Sequence, residues 1–194
     1  MDDVVGDGQR KRGRPTRSER EQRREQILDA AVRLFLEHGY GGVSLDRLAA
    51  DAKVTKRTIY VYVGDKTAVF TAVVSRLNRD VLPEGQAADL EALAVRLVMT
   101  LHSDVAIGLH RMVIAEARQF PELASGFYAA GPQRYIGALE ELLGPAGTKA
   151  EQLFALLLGE RHRRRLLGLE AAPSRAEADA YAQAALDSLA LRNP

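Results

Sequence analysis

The stretch LDRLAADAKVTKRTIYVYVGDK, residues 45–66, constrains this chain more than any other. Leu45, Leu48, Ala49 and Ala52 recur at helical spacing and make one apolar face. Val54 falls in a turn, and Thr55 follows as an N-cap whose hydroxyl can accept from an orphan backbone N–H. Lys56, Arg57, Thr58, Tyr60 and Tyr62 then crowd the start of the next helix. Two short helices about a tight turn, the second rich in exposed donors, is what a helix-turn-helix needs. One helix braces, and the other offers side chains to the major groove and to phosphates.

The flanks extend this pattern. Ile27, Ala30, Ala31, Leu34 and Phe35 form the inner stripe of a preceding helix. Ser18 with Glu21 can open that helix as a capping box, and Gly39 suits the residue after its end. Ser44 can cap the second helix. Gly64-Asp65 breaks the third, and Lys66 begins a fourth with Val69, Phe70, Val73, Val74 and Leu77 inward.

The run from Ile27 to Val74 resembles the DNA-binding domain of tetracycline-repressor (TetR) family transcriptional regulators. The resemblance rests on the stripe of the first helix, the break at Gly39-Tyr40 and the hydroxyl at Ser44. It also includes the run from Val54 to Val63 and Lys66, and departs at Gly64, where many members carry Lys, Ser or Pro. It implies a homodimeric repressor on a palindromic double-stranded DNA operator, released by a small molecule. On this resemblance Thr58, Tyr60, Tyr62 and Lys66 fall at phosphate-holding positions, and Lys56 and Arg57 are best placed to read bases. Ser44 and Thr55 complete the expected DNA-binding set.

Charge is distributed accordingly. The net charge is +1, but residues 10–66 hold 14 Lys/Arg against 8 Asp/Glu, whereas residues 67–194 hold 13 against 15. Positive charge gathers where the helix-turn-helix sits. Residues 1–18 read as a disordered basic arm. Its Arg12 and Arg14 can enter a minor groove, or the arm is a solvated tail adding only non-specific phosphate attraction. The absence of Cys excludes a disulfide framework and a thiolate zinc site. No apolar run approaches the roughly 20 residues that span a bilayer, so no membrane is expected and a cytoplasmic protein is the default.

Residues 19–81 are thus expected to form the DNA-binding domain and 82–194 a helical regulatory and dimerisation domain, an all-α chain of about nine helices. Leu90, Leu93, Ala94, Leu97, Val98 and Leu101 make a fifth helix, and Ser103 caps a sixth that Phe120-Pro121 stops. Gly131-Pro132 breaks or kinks a seventh. Capping boxes at Thr148/Glu151 and Ser174/Glu177 open the last two helices, which the resemblance assigns to dimerisation through a four-helix bundle.

No catalytic motif or metal-ligand spacing occurs, so neither enzyme nor cofactor is expected. The run Arg161-His162-Arg163-Arg164-Arg165 either complements the negative end of its helix or meets acidic groups of a partner subunit or ligand. A sensor cavity should be walled by Leu97, Met112, Phe127, Tyr135 and Phe154, with His102, His110, Arg111, Glu116 and Tyr128 as polar candidates. Each of these is open to a plain core role. The implied effector is a small, moderately hydrophobic organic molecule. Two other classes remain open: a non-specific architectural DNA binder, against which the long apolar C-terminal half argues, and a small helical carrier or enzyme.

Overall fold

The computed structural model describes residues 16–82 and 89–191. They form ten α-helices and one short 3-10 turn, with no strand among the described residues. The helices are α1 (Arg17–His38), α2 (Leu45–Asp51), α3 (Lys56–Tyr62), α4 (Lys66–Val81), α5 (Leu90–Leu101), α6 (Asp104–Glu116), α7 (Pro121–Ala130), α8 (Pro132–Leu143), α9 (Ala150–Leu166) and α10 (Arg175–Ser188).

The first helix begins earlier than expected. Thr16, not Ser18, is its N-cap: Thr16 Oγ1 accepts from Glu19 N at 3.1 Å, and Glu19 Oε2 accepts from Thr16 N at 2.7 Å. Both Thr16-x-x-Glu19 and Ser18-x-x-Glu21 fit the capping-box spacing, and the earlier one adds half a turn of helix. Residues 16–18 therefore belong to α1 and its cap, not to the arm. Arg12 and Arg14 lie outside the described residues.

Two apolar cores divide the packing. The first joins Leu28 and Phe35 of α1 to Leu48, Ile59 and Phe70, and draws in Leu109 and Met112 of α6 and Leu123 of α7. The second is made by Val81, α5, α8, α9 and α10, around Leu97, Leu139 and Leu153. Thus α6 and α7 are built onto the helix-turn-helix core despite following it by more than 20 residues. Along one edge α1 and α4 are tied by Arg76 to Asp29 at 2.6 Å and Arg79 to Glu25 at 2.6 Å. These half-exposed pairs contribute less than about 1 kcal/mol each.

The break at Gly131-Pro132 is complete and separates α7 from α8, since Pro132 lacks the N–H that would continue the ladder. The buried Asn78 amide donates to the Ala130 carbonyl at this break. The Thr148/Glu151 box does not form. A 3-10 turn over Gly144–Lys149 runs straight into α9, and Lys149 at the cap is already helical, without the extended backbone a capping side chain needs. The Ser174/Glu177 box does form, with Ser174 N donating to Glu177 Oε2 at 2.8 Å. No single helix among the described residues is long and apolar enough to cross a membrane.

Candidate nucleic-acid interface and apolar cavity

The turn between α2 and α3 is closed by two backbone bonds, Val54 N to Ala49 O at 2.9 Å and Lys53 N to Ala50 O at 3.2 Å. This is the Schellman arrangement, and it places Lys53 in the left-handed region at φ 52°. Gln26 of α1 donates to Ala52 O at 2.9 Å and fixes the turn to the brace behind it. Ser44 Oγ caps α2 through Arg47 N at 3.1 Å, and Thr55 Oγ1 caps α3 through Thr58 N at 3.1 Å. Both hydroxyls are thus committed to setting the two helices. Ile59 is fully buried and anchors α3.

With Ile59 inward, the opposite face of α3 points to solvent. Lys56, Arg57 and Tyr60 lie on it, and Tyr60 keeps 52% of its surface exposed. Lys56 pairs with Asp46 of α2 at 3.0 Å across two exposed side chains, a contact easily exchanged for a phosphate. Tyr62 and Thr58 are half-buried, and Tyr62 packs on the first core. Val61 was not among the expected contacts and is 71% exposed. An apolar side chain left in water on this face suits the methyl group of a thymine.

Lys66 is not on that face. Its Nζ donates to Tyr40 O at 2.9 Å and Val43 O at 3.0 Å, 4.2 Å from the Tyr40 ring centroid. Burial pushes its pKa down, with nearby Glu116 opposing. Two of its three protons therefore close the turn between α1 and α2, and one remains.

Glu116 does the same from the other side. Its carboxylate accepts from Tyr40 N at 2.7 Å and Gly41 N at 2.6 Å, holding the end of α6 against that turn. The Tyr40 ring meets Phe120 edge-on at 5.1 Å. A Cβ at Gly41 would stand 3.2 Å from Glu116 Oε2, so the glycine leaves room for this approach.

A cavity of about 50 Å³ opens where α4–α9 converge. Four of the expected residues line it: His110, Phe127, Tyr135 and Phe154. The other six do not. Leu97 and Met112 are core, filled in by the second and first clusters. Glu116 is spent on the turn. Arg111 donates to Leu166 O at 2.7 Å on the outer side of α9. Tyr128 faces solvent at 55% exposure. His102 lies one layer behind the wall, its Nε2 donating to Leu157 O at 3.0 Å.

His162, unexpected at this site, completes the lining. Its ring centroid stands 5.2 Å from that of His110 and 5.4 Å from that of His102. Burial pushes its pKa down to about 4, helped by repulsion from His110, His102 and Arg165, and burial lowers His110 as well. Both rings facing the cavity are neutral at pH 7. Among the described residues no cluster of His, Asp or Glu has metal-binding geometry.

The α9 wall is bent at Gly159, which takes φ 50°, ψ −155° inside the helix. The carbonyls of Leu157 and Leu158 precede the bend. His102 Nε2 meets the first, and Tyr181 Oη donates to the second at 3.3 Å. A bond to a carbonyl requires that His102 carry its proton on Nε2.

Residues 88–192 match the family model described as AefR-like transcriptional repressor, C-terminal domain, and residues 27–73 match that of bacterial regulatory proteins, tetR family. The chain belongs to the TetR family. It is a DNA-binding transcriptional regulator and not an enzyme. Regulators of this family bind DNA and act as dimers. The chain is 27% identical over 143 residues to the HTH-type transcriptional regulator SrpR of Pseudomonas putida, covering 71% of this chain and 67% of that one. A TetR-family regulator from Mesorhizobium loti superposes with a TM-score of 0.67 at 25% identity, over 90% of this chain and 96% of its own. The flavonoid-responsive regulator FrrA superposes at 0.65 with 27% identity, over 87% and 95%.

In this TetR-family regulator the basic run late in α9 divides by helical phase. Arg161 pairs with Glu170 at 2.6 Å and Glu177 at 3.2 Å. Arg165 is buried and reaches His102 O at 3.0 Å and Asp104 Oδ1 at 2.6 Å. The run thus ties α9 to α5, α6 and α10, and only its His162 enters the cavity.

Proposed function

We propose that this regulator is an effector-released repressor that grips a palindromic operator as a homodimer, one α3 per half-site. Lys56, Arg57 and Tyr60 contact DNA, Val61 adds an apolar base contact, and Thr55, Ser44, Thr58 and Tyr62 hold the reading head in shape. Lys66 acts mainly as a brace and offers at most one proton to a phosphate. The single observation that carries the reading is the face of α3, where a positive and aromatic strip stands in solvent while Ile59 and the Thr55 cap lock the helix behind it.

Residues 16–81 form the reading domain and 82–194 the regulatory one, with α9 and α10 as the dimer-forming pair. The cavity at α4–α9 is the effector site. Release follows from α6, which carries His110 at the cavity and Glu116 at the turn leading into α2. The protein acts in the cytoplasm, on its own upstream DNA among other targets.

A gel shift of the full chain on its own upstream region, run at two salt concentrations against excess unrelated DNA, tests this. One preferred site that survives competitor supports it. Equal shifts on all DNA would mean an architectural binder, and no shift a carrier.

A further inference from the structure

The cavity's lining specifies a class of ligand, and this deepens the effector-site reading above and rests on it. Among the described residues no Lys, Arg, Asp or Glu lines the cavity. The nearby arginines are committed elsewhere, Arg111 to Leu166 O and Arg165 to Asp104 and His102 O. An anionic or cationic ligand would enter with no countercharge and forfeit its hydration. Apart from the Thr100 and Tyr135 hydroxyls the remaining walls are apolar and aromatic, with Leu77, Leu101, Phe127, Phe154 and Leu158 among them.

Two imidazoles stand in that wall. The His110 and His162 imidazoles both face the cavity, and neither hydrogen-bonds to another described residue, although His162 keeps only 7% of its surface exposed. Every neutral imidazole has one N–H and one bare nitrogen. With centroids 5.2 Å apart, the two rings can share one atom that both accepts a proton from one ring and gives a proton to the other. A hydroxyl is the smallest group that does both. Beside it, Phe127 lies tilted against His110 at 5.3 Å, and Tyr135 stacks near Phe154 at 6.3 Å, leaving ring faces and edges for a planar body.

We propose that this cavity takes an uncharged hydroxyaromatic molecule, its hydroxyl bridging His110 and His162 and its ring set among Phe127, Tyr135 and Phe154. A phenolic hydroxyl is a stronger donor than an aliphatic one, so the aromatic alcohol binds better than its saturated counterpart. The cavity has room for only a few waters, well short of the roughly 300 Å³ of a drug-sized site, so the ligand binds an expanded form.

Calorimetric titration of the full chain at pH 7.5 tests this without DNA. The probes are 2-naphthol, 2-methoxynaphthalene, decahydro-2-naphthol and 2-naphthoate. The expected result is binding of 2-naphthol, at least tenfold weaker binding of the methyl ether and the saturated alcohol, and none of the carboxylate. His162→Phe and His110→Phe each keep a ring in place, and each should weaken 2-naphthol at least tenfold while leaving the methyl ether within threefold. His162→Gln, which keeps a donor and an acceptor, should restore part of the loss. Tighter binding of 2-naphthoate, equal binding of the ether, 2-naphthol affinity unchanged in both Phe variants, or no binding of any probe would each overturn the proposal. A gel shift on the same samples separates the two readings: loss of DNA binding by the ligand-free wild type counts against the repressor, not against the ligand class.

Discussion

Replacing Glu116 with Ala probes the contact that holds the end of α6 against the turn between α1 and α2. The carboxylate accepts from two backbone N–H groups at 2.6 and 2.7 Å, and both are charge-assisted. Hydrogen bonds to charged groups contribute about 1.5–3 kcal/mol each. Gly41 is exposed, so water recovers most of its bond, whereas Tyr40 N sits beside a buried ring and is recovered poorly. The expected loss is therefore about 2 kcal/mol, less than the sum of two such bonds. Urea unfolding should show it as a lower midpoint at unchanged slope. Operator affinity should fall too, because Lys66 would be left to hold the turn alone. Glu116→Gln keeps one acceptor but turns an amide N–H toward the other donor, so it should recover only part of the stability. A change below about 0.5 kcal/mol for Glu116→Ala, the range of ordinary surface substitutions, would show that the carboxylate is not an anchor and refute the reasoning.

Three other outcomes are expected. Arg57→Ala should weaken the preferred operator by about 1–3 kcal/mol and relax preference at one base pair, read by competition gel shift. Lys66→Met should instead lower stability in urea, since it orphans the Tyr40 and Val43 carbonyls, and should change the salt slope of DNA binding by no more than about one. Finally, His162 has its folded pKa pushed down to about 4, below that of the unfolded chain. The unfolded state therefore binds more protons between that value and about 6.5, so stability is full above that window and is lost as pH falls through it. The loss should reach on the order of 2 kcal/mol, and His162→Phe should flatten thermal melts taken from pH 7 to pH 4.5.

The helix-turn-helix was legible because local signals agreed with one another. Thr55 caps α3 and Ser44 caps α2, each as spacing alone requires. Helix starts were less secure where two capping patterns competed, as at Thr16 and Ser18, or where a 3-10 turn pre-empted the cap, as at Thr148. The cavity was the least legible part, because its lining is set by which faces of six helices converge. The stripe that names Leu97 and Met112 as apolar cannot tell a core position from a cavity wall. His162 was hidden in a basic run that composition reads as a solvated helix end. Helical phase was the available signal: His162 and Arg165 are three apart and share the face carrying Phe154 and Leu158, while Arg163 and Arg164 point out. Nothing in the sequence pointed Glu116 to the turn, since its partners there lie 75 and 76 residues away on backbone atoms.

The positions of these groups on α6 bear on how release is driven in the proposed mechanism. His110 and Glu116 are six residues apart, about 9 Å along the helix axis. The far end of α6 is held by Asp104 to Arg165 at 2.6 Å, and the near end by Glu116 to the turn. Between them Leu109, Met112 and Val113 are buried in the same core as α1 and α4. A ligand seated between His110 and His162 pushes on α6 and α9. The α9 wall is bent at Gly159, where the backbone leaves helical geometry and the His102 and Tyr181 side chains bond the two carbonyls before it. The α6 wall has no such break, so a push on His110 moves the helix as a rod. Tenfold release of DNA needs only about 1.4 kcal/mol of differential affinity. Loosening one of the two Glu116 bonds is worth that much or more. A displacement of α6 too small to disturb the core is therefore enough, provided the pinned end at Tyr40 yields before the hinge at Gly159 does.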